Sequence, residues 1–121
     1  MGNLSKITLK PLEIGIEPKS RLLYIQQGEN VIRMTRDEIN NLRKLRNGEF
    51  CDNQFAGQML PRNYYEMKEN GNIVAKSTDG DTSNTVLIQK GRKFDDVDRI
   101  VSFADLNHGS IAWTRDFRGR R

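Results

Sequence analysis

The 121-residue chain has a formal net charge of +4, with 36% hydrophobic and 30% charged residues. This composition predicts one domain with a thin core, and the low apolar content favours a homodimer or larger oligomer. The chain has one cysteine, Cys51, and one histidine, His108, which excludes an internal disulfide and an ordinary zinc or iron cluster. We expect a cytoplasmic protein without a cofactor or metal, and no apolar run is long enough to cross a membrane.

Residues 1–20 alternate apolar and polar side chains on both sides of Pro11. Proline cannot donate a backbone hydrogen bond, so a strand that contains it belongs at a sheet edge. We predict an edge strand or an extended arm over residues 1–20, an α+β domain over 21–117 and a basic tail over 118–121. Self-association would use this arm or an open sheet edge.

Residues 21–48 combine several local signals. Two short apolar runs flank a turn at residues 27–30, which predicts a β-hairpin. Thr35 and Glu38 then form a capping box, and Asn47 with Gly48 supplies a stop signal. These features predict a helix over residues 36–47, whose apolar stripe of Ile39, Leu42 and Leu45 faces the core.

The opposite side of this helix is rich in hydrogen-bond donors, with Arg36, Arg43 and Lys44 among them. It is either an ordinary solvated face or a face that contacts phosphates. Nothing in the local sequence decides between the two.

The middle of the chain predicts loops around a second hairpin. Residues 49–63 lack a clear period, and residues 77–84 are polar or glycine, which is typical of a mobile loop. Between them, Asn70-Gly71 lies between apolar runs, the strongest short signature of a hairpin. Tyr64 and Tyr65 should point to opposite faces of its first strand, so that one is buried and the other is exposed. A strand over residues 85–89 leads to a basic turn over residues 90–93.

Residues 94–117 allow two interpretations. Val97, Ile100, Val101 and Ala104 follow the spacing of a helix, which would run over residues 96–106. The same segment could form two strands around a turn at residues 107–110. Both interpretations end in a strand over residues 111–117, with Ile111 and Trp113 on one face.

The C-terminal sequence interleaves Trp113 and Phe117 with four arginines. Arginines neutralise phosphates and aromatic rings stack on bases, although the aromatics could equally be core residues. We favour the core for Trp113, because it is the only tryptophan in a chain with few large apolar residues. The candidate nucleic-acid-binding residues are Arg36, Arg43, Lys44, Lys90, Arg92, Lys93, Arg115, Arg118, Arg120 and Arg121.

The sequence gives little support to catalysis. It has no phosphate-binding glycine loop, no nucleophile elbow and no pair of metal-binding histidines. We therefore predict no catalytic residues and a non-enzyme. The small size, thin core and polar loops resemble accessory proteins of phages or mobile elements.

The strand that leads into the Thr35-capped basic helix resembles single-stranded-DNA-binding transcriptional coactivators. In that family the helix ends the domain after four strands, whereas here it follows two strands and precedes more than half of the chain. No residue roles are transferred from the family. The expected fold is α+β, a mostly antiparallel sheet of five or six strands covered by one or two helices. The expected function is backbone-directed binding of nucleic acid, and the alternative is a protein-interaction module that acts as an inhibitor or assembly factor.

Overall fold

The computed structural model describes residues 10–49, 63–77 and 84–113. Their elements, in chain order, are β1 (Leu12–Ile16), β2 (Leu23–Gln27), β3 (Asn30–Met34), α1 (Arg36–Arg46), β4 (Asn63–Met67), β5 (Ile73–Ser77), β6 (Asn84–Ile88), α2 (Asp96–Leu106) and a 3-10 turn (His108–Ser110). The predicted α+β class is confirmed. The strands are divided between two antiparallel sheets, β1–β2–β3 and β4–β5–β6, where the sequence had suggested one.

Both predicted hairpins are present. The turn between β2 and β3 contains Gly28, and the turn between β4 and β5 contains Gly71. The φ angles of these glycines are +65° and +92°, in the left-handed region that side chains disfavour. Glycine at these two positions therefore explains why the chain reverses where the sequence predicted it would.

The ends of α1 follow the predicted signals. The hydroxyl of Thr35 accepts a hydrogen bond from the Glu38 amide at 3.3 Å, and the Glu38 carboxylate accepts one from the Thr35 amide at 2.7 Å. At the other end Gly48 has a φ of +83°, and the Glu49 amide donates to the Lys44 carbonyl at 2.9 Å. This pattern is a Schellman motif, which satisfies carbonyls that the helix itself leaves unpaired.

The core joins both sheets to both helices. The predicted α1 stripe is buried, and α1 packs most extensively against α2. The helical interpretation of residues 96–106 is confirmed, because all four residues of its apolar spacing are in the core. The largest fully buried apolar side chains are Leu23, Ile25, Ile32, Met34, Ile39, Leu42, Ile73, Ile88 and Ile100.

A side chain links the two sheets. The Gln27 side chain, at the end of β2, accepts a hydrogen bond from the Leu87 amide at 2.9 Å and donates one to the Leu87 carbonyl at 3.3 Å. The backbone of a neighbouring strand would form the same two kinds of hydrogen bond with the free edge of β6. Gln27 is 4% exposed, so its amide group is satisfied inside the protein.

The outer face of the first sheet contains one close contact. Gly15 in β1 lies opposite Tyr24 in β2, and the tyrosine ring covers the glycine. A Cβ atom on Gly15 would lie 2.6 Å from the Tyr24 hydroxyl. The absence of a side chain at Gly15 therefore makes room for the ring.

The predicted strand over residues 111–117 is wrong in the part that the structure describes. Residues 111–113 continue from the 3-10 turn, with the Ala112 amide donating to the Arg21 carbonyl at 2.8 Å. The Trp113 amide donates to the Ile111 carbonyl at 2.9 Å, which turns the backbone. Ile111 and Trp113 are both buried and flank a half-buried residue, so their burial alternates as in a strand.

Several predicted features lie outside the described residues. They are the first part of the N-terminal arm, Cys51 and most of both central loops, and the arginines at positions 115, 118, 120 and 121.

Candidate nucleic-acid interface

The connection between β6 and α2 forms a closed loop whose residues 90–94 we call the basic loop. Its base is held by Gln89 and Asp96: the Asp96 amide donates to the Gln89 carbonyl at 2.6 Å, and the Gln89 amide donates to the Asp96 carboxylate at 3.0 Å. The Lys90 amide also donates to the Asn72 side chain at 3.0 Å, which fixes the loop against the β4–β5 turn. The loop is therefore anchored at both ends.

The basic loop presents positive charge and an aromatic ring to solvent. Arg92 and Lys93 are exposed, Lys90 is half-buried, and Phe94 is 63% exposed. Lys90, Arg92 and Lys93 form no ion pair within the described ranges. The sequence prediction included the three cations but missed Phe94. Its position between a basic run and the N-cap of α2 could have identified it as part of the site.

The α1 face is less available than the sequence suggested. The Arg43 guanidinium lies 2.5 Å from the Asp105 carboxylate of α2 and donates to Asn40 at 3.0 Å. Arg46 approaches two α2 carboxylates, Asp98 at 3.9 Å and Asp105 at 4.0 Å. Much of the charge on this face is therefore offset by α2, and Lys44 stays exposed without an ion pair to a described residue.

Arg36 has a different environment at the start of α1. Its guanidinium lies 5.7 Å from the centre of the Trp113 ring, a cation–π distance. The His108 ring is 5.5 Å from the same ring, and the Trp113 indole N–H donates to the His108 carbonyl at 3.1 Å. Trp113 is 8% exposed, so the predicted core role is confirmed and its ring is not open to a base.

The six described site residues therefore occupy two elements. Lys90, Arg92 and Lys93 lie on the basic loop, whereas Arg36, Arg43 and Lys44 lie on α1. An open depression on α1 is lined by Asp37, Asn40, Asn41, Arg43, Lys44, Asn47 and Glu49. Its two acidic residues make it a poorer place for a phosphate than the basic loop.

The predicted division of the two tyrosines is confirmed. Tyr64 is 54% exposed on the outer face of the second sheet, and Tyr65 packs against the core. Lys76, in the adjacent strand, lies directly opposite Tyr64 and is also exposed. The sequence prediction missed Lys76, although the alternation of burial along β5 is enough to place it outside.

A polar cluster around the buried Glu38 side chain lies between α1 and β4. The Glu38 carboxylate accepts hydrogen bonds from the Thr35 amide at 2.7 Å and from the Asn63 side-chain amide at 3.0 Å. The Tyr65 hydroxyl also donates to it. The Asn63 side-chain oxygen is buried and has no hydrogen-bond partner in the part of the chain that the structure describes.

Burial raises the pKa of the Glu38 carboxyl to about 7 from its ordinary 4.5, against the opposing effect of these donors. Burial, and next the Glu38 charge, raises the pKa of the Tyr65 hydroxyl well above its usual range. The sequence analysis identified Glu38 only as a capping residue. Its place four residues before Leu42 and seven before Leu45 puts it on the apolar stripe, which could have indicated its burial.

The described residues contain no group of three or more histidine, cysteine, aspartate or glutamate side chains that could hold a metal ion. None of the helices in the same ranges is long and apolar enough to cross a membrane. Comparisons with protein-family models, with curated proteins and with solved structures found no match to this chain.

Proposed function

We propose that this chain is a small non-catalytic nucleic-acid-binding protein that contacts backbone phosphates, with single-stranded DNA or RNA favoured. The basic loop is the observation that supports this proposal. Its cations have no ion pair within the described ranges, and the Phe94 ring of the same loop is exposed. Cations bind phosphates and exposed aromatic rings stack on bases, so the loop offers both contacts to a single strand.

The anchoring of the basic loop adds to the argument. The hydrogen bonds of Gln89, Asp96 and Asn72 hold the loop ends in place before any ligand arrives. A pre-ordered loop loses less conformational freedom on binding than a free one. Lys44 on α1 would add charge, whereas Arg43 would have to share its charge with Asp105.

The proposal is tested by fluorescence anisotropy with a labelled single-stranded oligonucleotide over a range of salt concentrations. Changing Arg92 and Lys93 together to glutamine should weaken binding. It should also make the negative slope of log K against log salt shallower by about 1.4, because each lost phosphate contact accounts for about 0.7. The matched control changes Lys10 and Lys19 to glutamine, which removes the same charge from exposed positions elsewhere. An equal weakening in both variants, or no binding of the unchanged protein at low salt, would contradict the proposal.

A protein-interaction module is the alternative, and one observation favours it. Leu106, at the end of α2, is 85% exposed. Exposed apolar side chains are typical of protein contacts, in which affinity depends weakly on salt. Changing Leu106 to alanine should leave oligonucleotide binding unchanged, whereas it would weaken a protein contact centred on that residue.

We also propose that the protein self-associates in the cytoplasm, as an accessory protein of the kind that phages or mobile elements encode. β1 and β4 are edge strands of their sheets, and such edges can pair with another copy. Light scattering at micromolar concentration should give a mass well above the 14.0 kDa of one chain. A value near one chain mass would end the self-association proposal.

A further inference from the structure

We propose that the outer face of the β4–β5–β6 sheet is a base-stacking subsite for single-stranded nucleic acid, with Tyr64 as the stacking platform and Lys76 as a phosphate contact. This inference rests on the proposed function and extends it. The basic loop accounts for attraction to any nucleic acid, whereas this face would select the single-stranded form.

The strand register places the two side chains next to each other. Tyr64 pairs with Lys76 across β4 and β5, and Lys76 pairs with Thr85 across β5 and β6. Paired residues lie on the same face of a sheet, about 5 Å apart. All three side chains are exposed, with Tyr64 at 54%. An aromatic surface and a cation are therefore available within the span of one nucleotide.

The next row of this face contains Glu66, Val74 and Leu87. Val74 in β5 pairs with Leu87 in β6, and both are half-buried, so they form an aliphatic surface beside Tyr64. Glu66, the acid in this row, is paired with Lys68 at 3.1 Å. That ion pair offsets the charge that would otherwise repel a phosphate backbone.

The face leads to the basic loop. From Thr85, in the Tyr64 row, β6 runs toward Gln89, the residue that precedes the basic loop. Four residues of strand cover about 13 Å. This path is long enough for a few nucleotides of a single strand. One strand could therefore contact Lys76 at one end and the basic loop at the other.

Stacking on Tyr64 requires a base whose flat surface is free. Paired bases inside a duplex are covered on both sides by their neighbours, whereas bases of a single strand can lie on an aromatic side chain. The basic loop can contact the backbone of either form. The structure therefore predicts that Tyr64 affects single strands only.

The experiment compares anisotropy titrations of a labelled single strand and of its duplex at low salt. Changing Tyr64 to alanine should weaken single-strand binding by about 5- to 150-fold and leave duplex binding unchanged. Tyr64→Phe keeps the ring and should bind like the unchanged protein. Lys76→Gln should make the negative slope of log K against log salt shallower by about 0.7 for the single strand. Leu106→Ala is the control for removal of an exposed apolar side chain elsewhere.

The outcomes separate this inference from the proposed function. If the unchanged protein binds neither oligonucleotide at low salt, the proposed function fails and the subsite fails with it. If it binds and Tyr64→Ala binds the single strand equally well, the subsite alone is overturned. An equal weakening for single strand and duplex also overturns it, because stacking cannot act on a closed duplex. Thermal melts of each variant ensure that folded proteins are compared.

Discussion

The buried carboxyl group of Glu38 should make the stability of this fold depend on pH. The pKa of Glu38 is raised from 4.5 to about 7 in the folded protein. The folded state therefore holds this proton more tightly than the unfolded state, and the resulting stabilisation is complete below pH 4.5 and lost as the pH rises through about 7. A shift of this size corresponds to about 3 kcal/mol in the free energy of unfolding.

Changing Glu38 to glutamine isolates this effect. Glutamine keeps an oxygen that can accept the hydrogen bond of the Thr35 amide, but it carries no charge at any pH. Its side-chain N–H group would replace an oxygen that accepts from the Asn63 side-chain N–H, so the Asn63 amide must rotate and turn toward it an oxygen that has no hydrogen-bond partner among the described residues. We expect the variant and the unchanged protein to have similar stabilities near pH 5, and the variant to be up to about 3 kcal/mol more stable at pH 8.

The measurement is urea unfolding between pH 5 and pH 8, followed by the fluorescence of Trp113, the single tryptophan of the chain. The control is Glu17→Gln. A hydrogen bond from Arg33 lowers the pKa of Glu17, so the stability that this carboxylate provides is lost as the pH falls below 4.5. Its pH dependence has the opposite sign and lies at lower pH, so between pH 5 and pH 8 the stability difference between Glu17→Gln and the unchanged protein should stay constant. If the stability difference between Glu38→Gln and the unchanged protein is constant with pH, the reasoning about Glu38 is refuted.

Three further predictions concern packing and the tail. Trp113→Ala should lower the free energy of unfolding by about 3–5 kcal/mol in urea denaturation, and a change below 1 kcal/mol would be inconsistent with a core tryptophan. Gly15→Ala should cost about 1 kcal/mol, because the new methyl group displaces the Tyr24 ring. The same change in a Tyr24→Ala background should cost nothing, and a double-mutant cycle without coupling would disprove the contact. Deleting residues 118–121, which lie outside the described residues, should weaken single-strand binding and lower the salt slope by about 0.7 for each phosphate that the tail neutralises; unchanged anisotropy titrations would exclude the tail.

The features that could be predicted from the sequence depend on residues close together in the chain. Thr35 and Glu38 define the start of α1, and Gly28 and Gly71 define two turns, all through interactions that span a few residues. The spacing of apolar residues also identified the buried side of both helices. Such signals are local, so a single sequence contains them.

The features that were missed depend on distant partners. The division into two sheets involves Gln27 and Leu87, which are 60 residues apart, and no local pattern pairs them. The backbone of residues 111–113 is held by Arg21. In the candidate site, the charge of Arg43 could be read from the sequence, but its pairing with Asp105 could not. The exposure of an aromatic side chain also depends on the whole fold, which leaves Phe94 exposed and Trp113 buried.

The junction at Gln27 has a consequence for the order of folding. Each sheet is made of antiparallel neighbours joined by short connections or modest loops, and such contacts form early. The junction instead closes a 60-residue separation and must overcome a larger decrease in chain entropy. It should therefore form after the folding transition state. Gln27→Ala should accelerate unfolding in stopped-flow experiments and leave the refolding rate nearly unchanged, so Gln27 would control the lifetime of the folded state.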